Sequence, residues 1–257
     1  VWPILLIAIF FIVNFIITNR QATHPIVHFH TLFSKKPFVG AKMAISSHLT
    51  LLTGIAGINV YIVRILKLPF DISLHFYFFF FVGVIITGIL KMFFYSSVGA
   101  VFLGTLGSSA LLYVSIHWII LGNTINIPLL YIQGLLLGFG ASMSLVSGSM
   151  ATLLDGDLKE AAQRSQTMHT IRNFSAAMLI PIIAYTIKNH IQKGTQSIYA
   201  ENITDKMIYL KKLQDVAIDA DHQIFLLMII FNMVMFVSSI IQMILGKGRR
   251  ITPPRES

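Results

Sequence analysis

The 257-residue chain contains no Cys. That removes a disulfide framework, a thiolate metal site and a cysteine nucleophile together. Charge is scarce too. Asp, Glu, Lys and Arg make up 11% of the residues, where a soluble domain carries roughly 25%. So few charges cannot cover a water-soluble particle of this size. The phosphate-binding GxxxxGK[ST], the HExxH zinc motif and the GxSxG elbow do not occur. An ATP-driven pump and the common hydrolase chemistries therefore have no support. No nucleophile–base pair or carboxylate pair stands out either. The expectation is a protein that is not an enzyme and carries no cofactor or metal.

Hydrocarbon dominates what is present. Hydrophobic residues make up 55% of the chain, and mean hydropathy is +0.77. The solvent implied is lipid, in which the outward surface is apolar and every backbone polar group is satisfied internally. A spanning helix takes about 20 mostly apolar residues. Seven runs meet that length: 1–18, 43–63, 73–92, 97–121, 127–152, 168–188 and 223–245. They predict an all-α integral membrane protein of about seven transmembrane helices. A tight turn is required in "KMFFYSSVGA", because one helix over 73–121 is far too long for a bilayer. The chain opens on Val1 inside an apolar run, and residues before Val1 are expected.

The formal net charge is +9, yet the cations form no stripe with interleaved aromatics, so nucleic acid is not the expected partner. They collect at the ends of apolar runs, which is the pattern of membrane topology. Placing the tail "GKGRRITPPRES" in the cytoplasm puts Arg20, Lys35, Lys36, Lys42, Lys91, Lys159, Arg164 and Arg172 on the same side. The short outer loops keep only Arg64 and Lys67. The layout expected is a first span over 1–18, a cytoplasmic loop over 19–42 and a five-span bundle over 43–188. An extracytoplasmic loop over 189–222, a last span over 223–245 and a cytoplasmic tail over 246–257 complete it. Location is the inner (plasma) membrane. In the loop "NRQATHPIVHFHTLFSKKPF", His24, His28 and His30 have no neighbouring Cys or carboxylate to complete a metal shell. It reads as a connector whose Phe29, Leu32, Phe33 and Phe38 rest at the interface.

Seven spans suggest a retinal pigment. The last run, "QIFLLMIIFNMVMFVSSIIQMIL", has no Lys for a Schiff base. No Asp or Glu falls in the middle of any expected span, so a counter-ion is missing too.

Three stretches resemble the C-terminal half of the fourteen-span drug:proton antiporters of the major facilitator superfamily. In the first connector the matching residues are His24, Pro25, Leu32, Phe33, Lys36 and Phe38. In "NVYIVRILKLPFDISLHFYF" they are Tyr61, Leu68 and Ser73, with Arg64 near the family's usual Gln. In "SQTMHTIRNFSAAMLIPIIAY" they are Ser165, Arg172, Asn173, Ser175, Ala176 and Ala177. The resemblance implies a secondary transporter that exports amphiphilic or cationic small molecules in exchange for protons. It also implies a bilayer, a proton and a small-molecule substrate as partners, with an N-terminal half in the same chain. A seven-span receptor, scaffold or subunit without transport activity is the alternative.

Polar residues inside apolar runs are the candidate site residues. Asn59, Tyr61, Gln133, Met143, Ser144, Ser147 and Asn232 are substrate-cavity candidates, with tight helix packing as their other reading. Gly134 and Gly138 make the GxxxG spacing of close helix approach. His48, Arg64, His169, Arg172, Asp155 and Asp157 are gating or coupling candidates. For Arg172 the alternatives are a snorkelling interfacial cation and a latch to Asp155, Asp157 or Glu160. For His48 and His169 they are a satisfied interfacial His and a proton relay. "DKMIYLKKLQDVAID" carries Met207, Leu210, Leu213 and Ala217 at helical spacing, which predicts a short amphipathic helix on the outer surface.

Overall fold

The computed structural model describes residues 2–22, 25, 27–122, 124–154, 157–200 and 205–246. Among them all regular structure is helical: α1 (Trp2–Gln21), α2 (Phe29–Leu32), α3 (Lys35–Asn59), α4 (Phe70–Trp118), α5 (Ile127–Leu154), α6 (Ala161–Ala200) and α7 (Lys206–Ile244). A π-helical turn over Val60–Ile65 extends α3, and a 3₁₀ turn over Leu158–Glu160 precedes α6. Five stretches are long and apolar enough to cross a membrane: Lys35–Ile65, Phe70–Trp118, Ile127–Leu154, Ala161–Tyr199 and Lys206–Ile244.

The expected runs 73–92 and 97–121 share α4, whose 49 residues would measure about 73 Å if straight. They are not straight. Gly99 has φ 83° and ψ 168°, a conformation essentially confined to Gly. The packing on α5 shows what that break does. Before Gly99, Gly134 of α5 abuts Phe76 and Gly138 abuts Phe80. Farther along, Lys91 Nζ donates to the carbonyls of Ser142 (3.3 Å) and Met143 (3.0 Å). Numbers rise together, so the two helices are parallel. After Gly99, Gly104 abuts Ser147, Gly107 abuts Met143, and Trp118 meets Gln133. Numbers now run oppositely. The chain has reversed at the end of "KMFFYSSVGA", where the sequence asks for a turn.

The same bookkeeping gives the other directions. α3 is antiparallel to α5, because Gly40 abuts Thr152 while Gly54 abuts Leu137. It is antiparallel to α7, because Gly54 faces Met228 and Gly57 faces Phe225. α6 is antiparallel to α7, with Gly194 on Val216 and Ile183 near Ile224. From α3 to α7, counting the two halves of α4 separately, successive helices alternate in direction. One end of this bundle carries the Gly99 turn and the 155–160 connection. The other carries the 66–69 and 119–126 connections and the α6–α7 junction.

The main core lies among α3, α4, α5 and α7, built on Met43, Ile58, Phe76, Leu111, Trp118, Leu137, Phe225 and Met228. α6 covers one flank through Leu179 and Ile183 against Leu49 and Ile224. Large apolar side chains stay exposed along α1, α4 and α6, among them Phe11, Phe78, Phe81, Ile180 and Tyr185. In water that surface would drive association; in hydrocarbon it is the solvated face.

Helix boundaries overrun the expected loops. α3 starts at Lys35, inside the expected loop 19–42, and α6 starts at Ala161. The expected loop 189–222 is helical over 189–200 and again from Lys206. Its amphipathic stretch is the first part of α7, not a separate surface helix. Asp205 starts it by accepting from Met207 N at 2.8 Å. The physical reason is that intrahelical hydrogen bonds continue past the hydrocarbon edge, and Lys, Gln and Leu are good helix formers. The first connector is also less superficial than expected. Leu32 is buried against Ala41, Ala44 and Met168, His28 N donates to Thr167 Oγ1 at 3.0 Å, and Asn19 clasps Val27 through both its backbone N–H and C=O. Phe33 remains exposed.

Candidate functional site

Side chains with hydrogen-bonding groups line the bundle interior as a ladder between helices. Each rung joins two elements. Tyr77 of α4 donates to Asn59 Oδ1 of α3 at 2.8 Å. Trp118 Nε1 donates to Gln133 Oε1 at 2.8 Å. Asn232 Nδ2 donates to Ser115 Oγ at 3.0 Å. Ser108 and Ser239 hydroxyls lie 3.1 Å apart, and Ser47 Oγ donates to Ala141 O at 3.0 Å. Tyr61, Gln133, Met143, Ser144, Ser147 and Asn232 are all buried to 1% exposure or less. They act across helix seams. Of the cavity candidates Gln133 lines an opening, a cavity of about 170 Å³ under the 119–126 connection that His117, Leu121, Gly122 and Asn126 also line. The Ser144 and Ser147 hydroxyls have no partner, and they lie beside the carbonyls that Lys91 caps.

No family model matches this chain, and no curated protein does. The residues themselves therefore carry the functional argument.

The coupling candidates separate into a group and outliers. His48 on α3 and His169 on α6 both lie within electrostatic reach of Arg172. The structure thus brings three of them together, all cationic or potentially cationic. Arg172 is half-buried, and its Nε has no hydrogen-bond partner. Of the acids expected to latch Arg172, Asp155 lies outside the described residues and Glu160 pairs with Arg164. Arg164, 1% exposed, donates through Nε to Thr152 O (3.0 Å) and through Nη2 to Leu153 O (2.9 Å) and Asp157 O (2.6 Å). Its Nη1 lies 3.6 Å from Glu160. It caps the last carbonyls of α5, where a cation also meets the negative end of the helix dipole. The Asp157 carboxylate accepts from Lys159 N. Asp155 and His24 lie outside the described residues. Arg64 is exposed at the end of the π-helical turn. His28 and His30 rings are 6.1 Å apart, and among the described residues no trio of His, Asp or Glu is gathered as a metal site.

Sequence reading missed one group outright. Asp221 is 1% exposed, and neither carboxylate oxygen has a hydrogen-bond partner. It falls inside the outer loop expected over 189–222. The available signal was its spacing: Ile218, Asp221, Phe225 and Met228 follow one another at three or four residues, and the three apolar members belong to the main core. On either side of it the chain is clamped. Tyr61 Oη donates to Gly122 O, and His222 Nε2 donates to Leu121 O at 2.7 Å.

A second opening is a wholly different kind of space. A groove of about 690 Å³ runs between α1 and α6, lined by Phe11, Phe15, Phe29, Ile171, Phe174 and Met178 among others. Its walls are nearly all apolar.

Proposed function

We propose that the chain is the C-terminal half of a major-facilitator secondary transporter, exporting amphiphilic or cationic small molecules in exchange for protons by alternating access. The observation that carries this reading is the alternation of six helical segments, from α3 to α7, within one packed body. Such transporters are built from six-helix halves that rock about a substrate site between them. α1 stands at the margin as a seventh span, separated from α6 by the apolar groove.

The charge near the short connections supports an orientation, while the 189–222 stretch at the other end carries Lys193, Lys206, Lys211 and Lys212 alongside Glu201, Asp205, Asp215, Asp219 and Asp221. Lys35, Lys36, Lys42, Lys159 and Arg164 flank helix ends at the Gly99 end of the bundle, which the positive-inside rule assigns to the cytoplasm. The 66–69 and 119–126 connections then face outward. His48, His169 and Arg172 lie on α3 and α6, and the thinly covered α6 is the surface on which an N-terminal half would close. The apolar groove between α1 and α6 suits the hydrocarbon part of an amphiphile.

The test is transport by the full-length gene product in proteoliposomes, with and without a pH gradient. Dye or drug accumulation driven by an imposed proton gradient, with counter-movement of protons, is the expected result. No gradient-dependent flux of any of a panel of lipophilic cations and neutral amphiphiles would refute it.

A further inference from the structure

We propose that Asp221 is a proton-binding group that controls the end of the bundle closed by the 119–126 connection: protonated, it lets that end close; deprotonated, it drives it open. This rests on the transporter reading above, because it gives that transporter a coupling residue.

The argument begins with cost. A carboxylate removed from water without hydrogen bonds or a counter-charge is unfavourable by several kcal/mol. Such a group survives in a packed bundle by binding a cation. Asp221 interrupts the apolar stripe of α7, between Ile218 and Phe225, and both of its oxygens lack partners. Its side chain sits among core residues and does not line the nearby cavity, and a proton is the smallest cation that meets its charge.

Its neighbours do not supply the missing charge. The π-helical turn contributes the neutral phenol of Tyr61, within electrostatic reach, while Arg64 on that turn and Lys67 beyond it are exposed. α4 contributes His117, whose Nδ1 is itself buried and unpartnered, and Trp118. α3 contributes Gly57, against Phe225, and Ile58. α6 packs on the other face of α7, at Ile224, through Leu179 and Ile183. On α7 itself, Asp219 is exposed, and the His222 ring is engaged by Leu121 O.

The position explains the control. Tyr61 and His222 grip consecutive carbonyls, Gly122 O and Leu121 O, and Asp221 adjoins both clamps. When the carboxyl loses its proton, the closed packing encloses a bare negative charge. Opening the two clamps admits water to it. The cavity beneath the connection, about 170 Å³ and lined by the clamped Leu121 and Gly122, is large enough for water and becomes the proton's route to bulk once the clamps part. Only an O–H bond forms or breaks; water supplies and receives the proton.

The experiment uses thiol accessibility in the full-length protein, in a background without other Cys, reconstituted in liposomes. Ser115→Cys places a thiol at a buried site of α4, one turn inside Trp118. Thr124→Cys, on the exposed connection, serves as the reference for the reagent's own pH dependence. Labelling by a membrane-impermeant maleimide is measured from pH 5 to pH 9 as the ratio of the two. With Asp221 present the ratio is expected to rise about tenfold with pH, a coupling of the usual size for linked equilibria. Asp221→Asn should hold it low at every pH. Asp221→Glu should restore the rise, which separates loss of a titrating group from damage to the fold. A rise in Asp221→Asn equal to the parent's, or a flat profile in the parent, overturns the proposal. If the Asp221-dependent rise is present but no substrate flux accompanies a pH gradient, the transport reading fails and the switch stands. If flux is present and Asp221→Asn keeps the parent's profile, the switch fails alone.

Discussion

Replacing Gly138 by Ala should separate α4 from α5. A methyl group there would lie 2.0 Å from Phe80 O and 2.8 Å from its carbonyl carbon. Both are backbone atoms, so no side-chain rotation relieves the clash. Reaching ordinary contact near 3.4 Å requires a displacement of about 1.4 Å, obtained by subtracting 2.0 from 3.4. The seam cannot yield locally, since Gly83 presses Leu135 O from the other side, with 2.1 Å to its own would-be Cβ. Overpacking of this kind costs about 1–3 kcal/mol. The better intrinsic helix propensity of Ala returns about 1 kcal/mol, leaving a net loss of about 0–2 kcal/mol, and since Gly88→Ala gains the same propensity the two variants should differ by the full overpacking cost. Gly88, on the facing helix α4 with nothing within 4 Å of its would-be Cβ, is the control. Gly88→Ala should be neutral or slightly stabilising. The assay is thermal or SDS-induced unfolding of the purified protein in detergent, followed by tryptophan fluorescence, since Trp118 sits at this seam. Equal midpoints for Gly138→Ala and Gly88→Ala would refute the backbone-contact argument.

Three further outcomes follow from the geometry. Arg164→Ala should lower stability by about 3 kcal/mol, because two carbonyls at the end of α5 and that of Asp157 lose their donor together; Arg164→Lys should recover little, since one ammonium cannot span the same fork, and unfolding midpoints test both. Gly99→Ala, which forces an L side chain to φ 83°, should cost about 1–3 kcal/mol and reduce the folded yield after membrane extraction. Arg172→Ala should lower transport with insertion and expression unchanged, checked by flux per unit of protein in vesicles; full flux at normal expression would argue for a purely interfacial cation.

The apolar runs and the turn before Gly99 were legible because burial in lipid leaves a pattern in composition alone, and because Ser-Ser-Val-Gly is turn chemistry. The Gly134–Gly138 spacing likewise announced a close seam, though not that its partners are Phe76 and Phe80. What the chain order hides is which of several similar residues reaches a given partner. Arg164 and Arg172 are two turns apart on α6, and either could have served Glu160; the direction in which α6 leaves the 3₁₀ turn decides for Arg164. Asp221 was hidden differently. Within "QDVAIDADHQIF" it looks like one more surface acid, and only the packing of Ile218 and Phe225 on Tyr61, Ile62 and Trp118 shows that it faces inward. Ser144 and Ser147 were readable as polar and as helical, but whether they met a void or a neighbour depended on how near α4 came.

The glycine seams also bear on how the bundle can move. α5 is held main chain to main chain against Gly40 and Ala44 on one side and against both halves of α4 on others, so these segments tilt as one rigid plate. The α6–α7 boundary is made instead of long aliphatic chains, Leu179, Ile183, Ile224 and Leu227, which can exchange rotamers while staying in touch. Sliding of a helix pair by small steps needs that kind of lubricated surface. The α6–α7 boundary is thereby the fault line along which α6 can slide without breaking the main-chain seams.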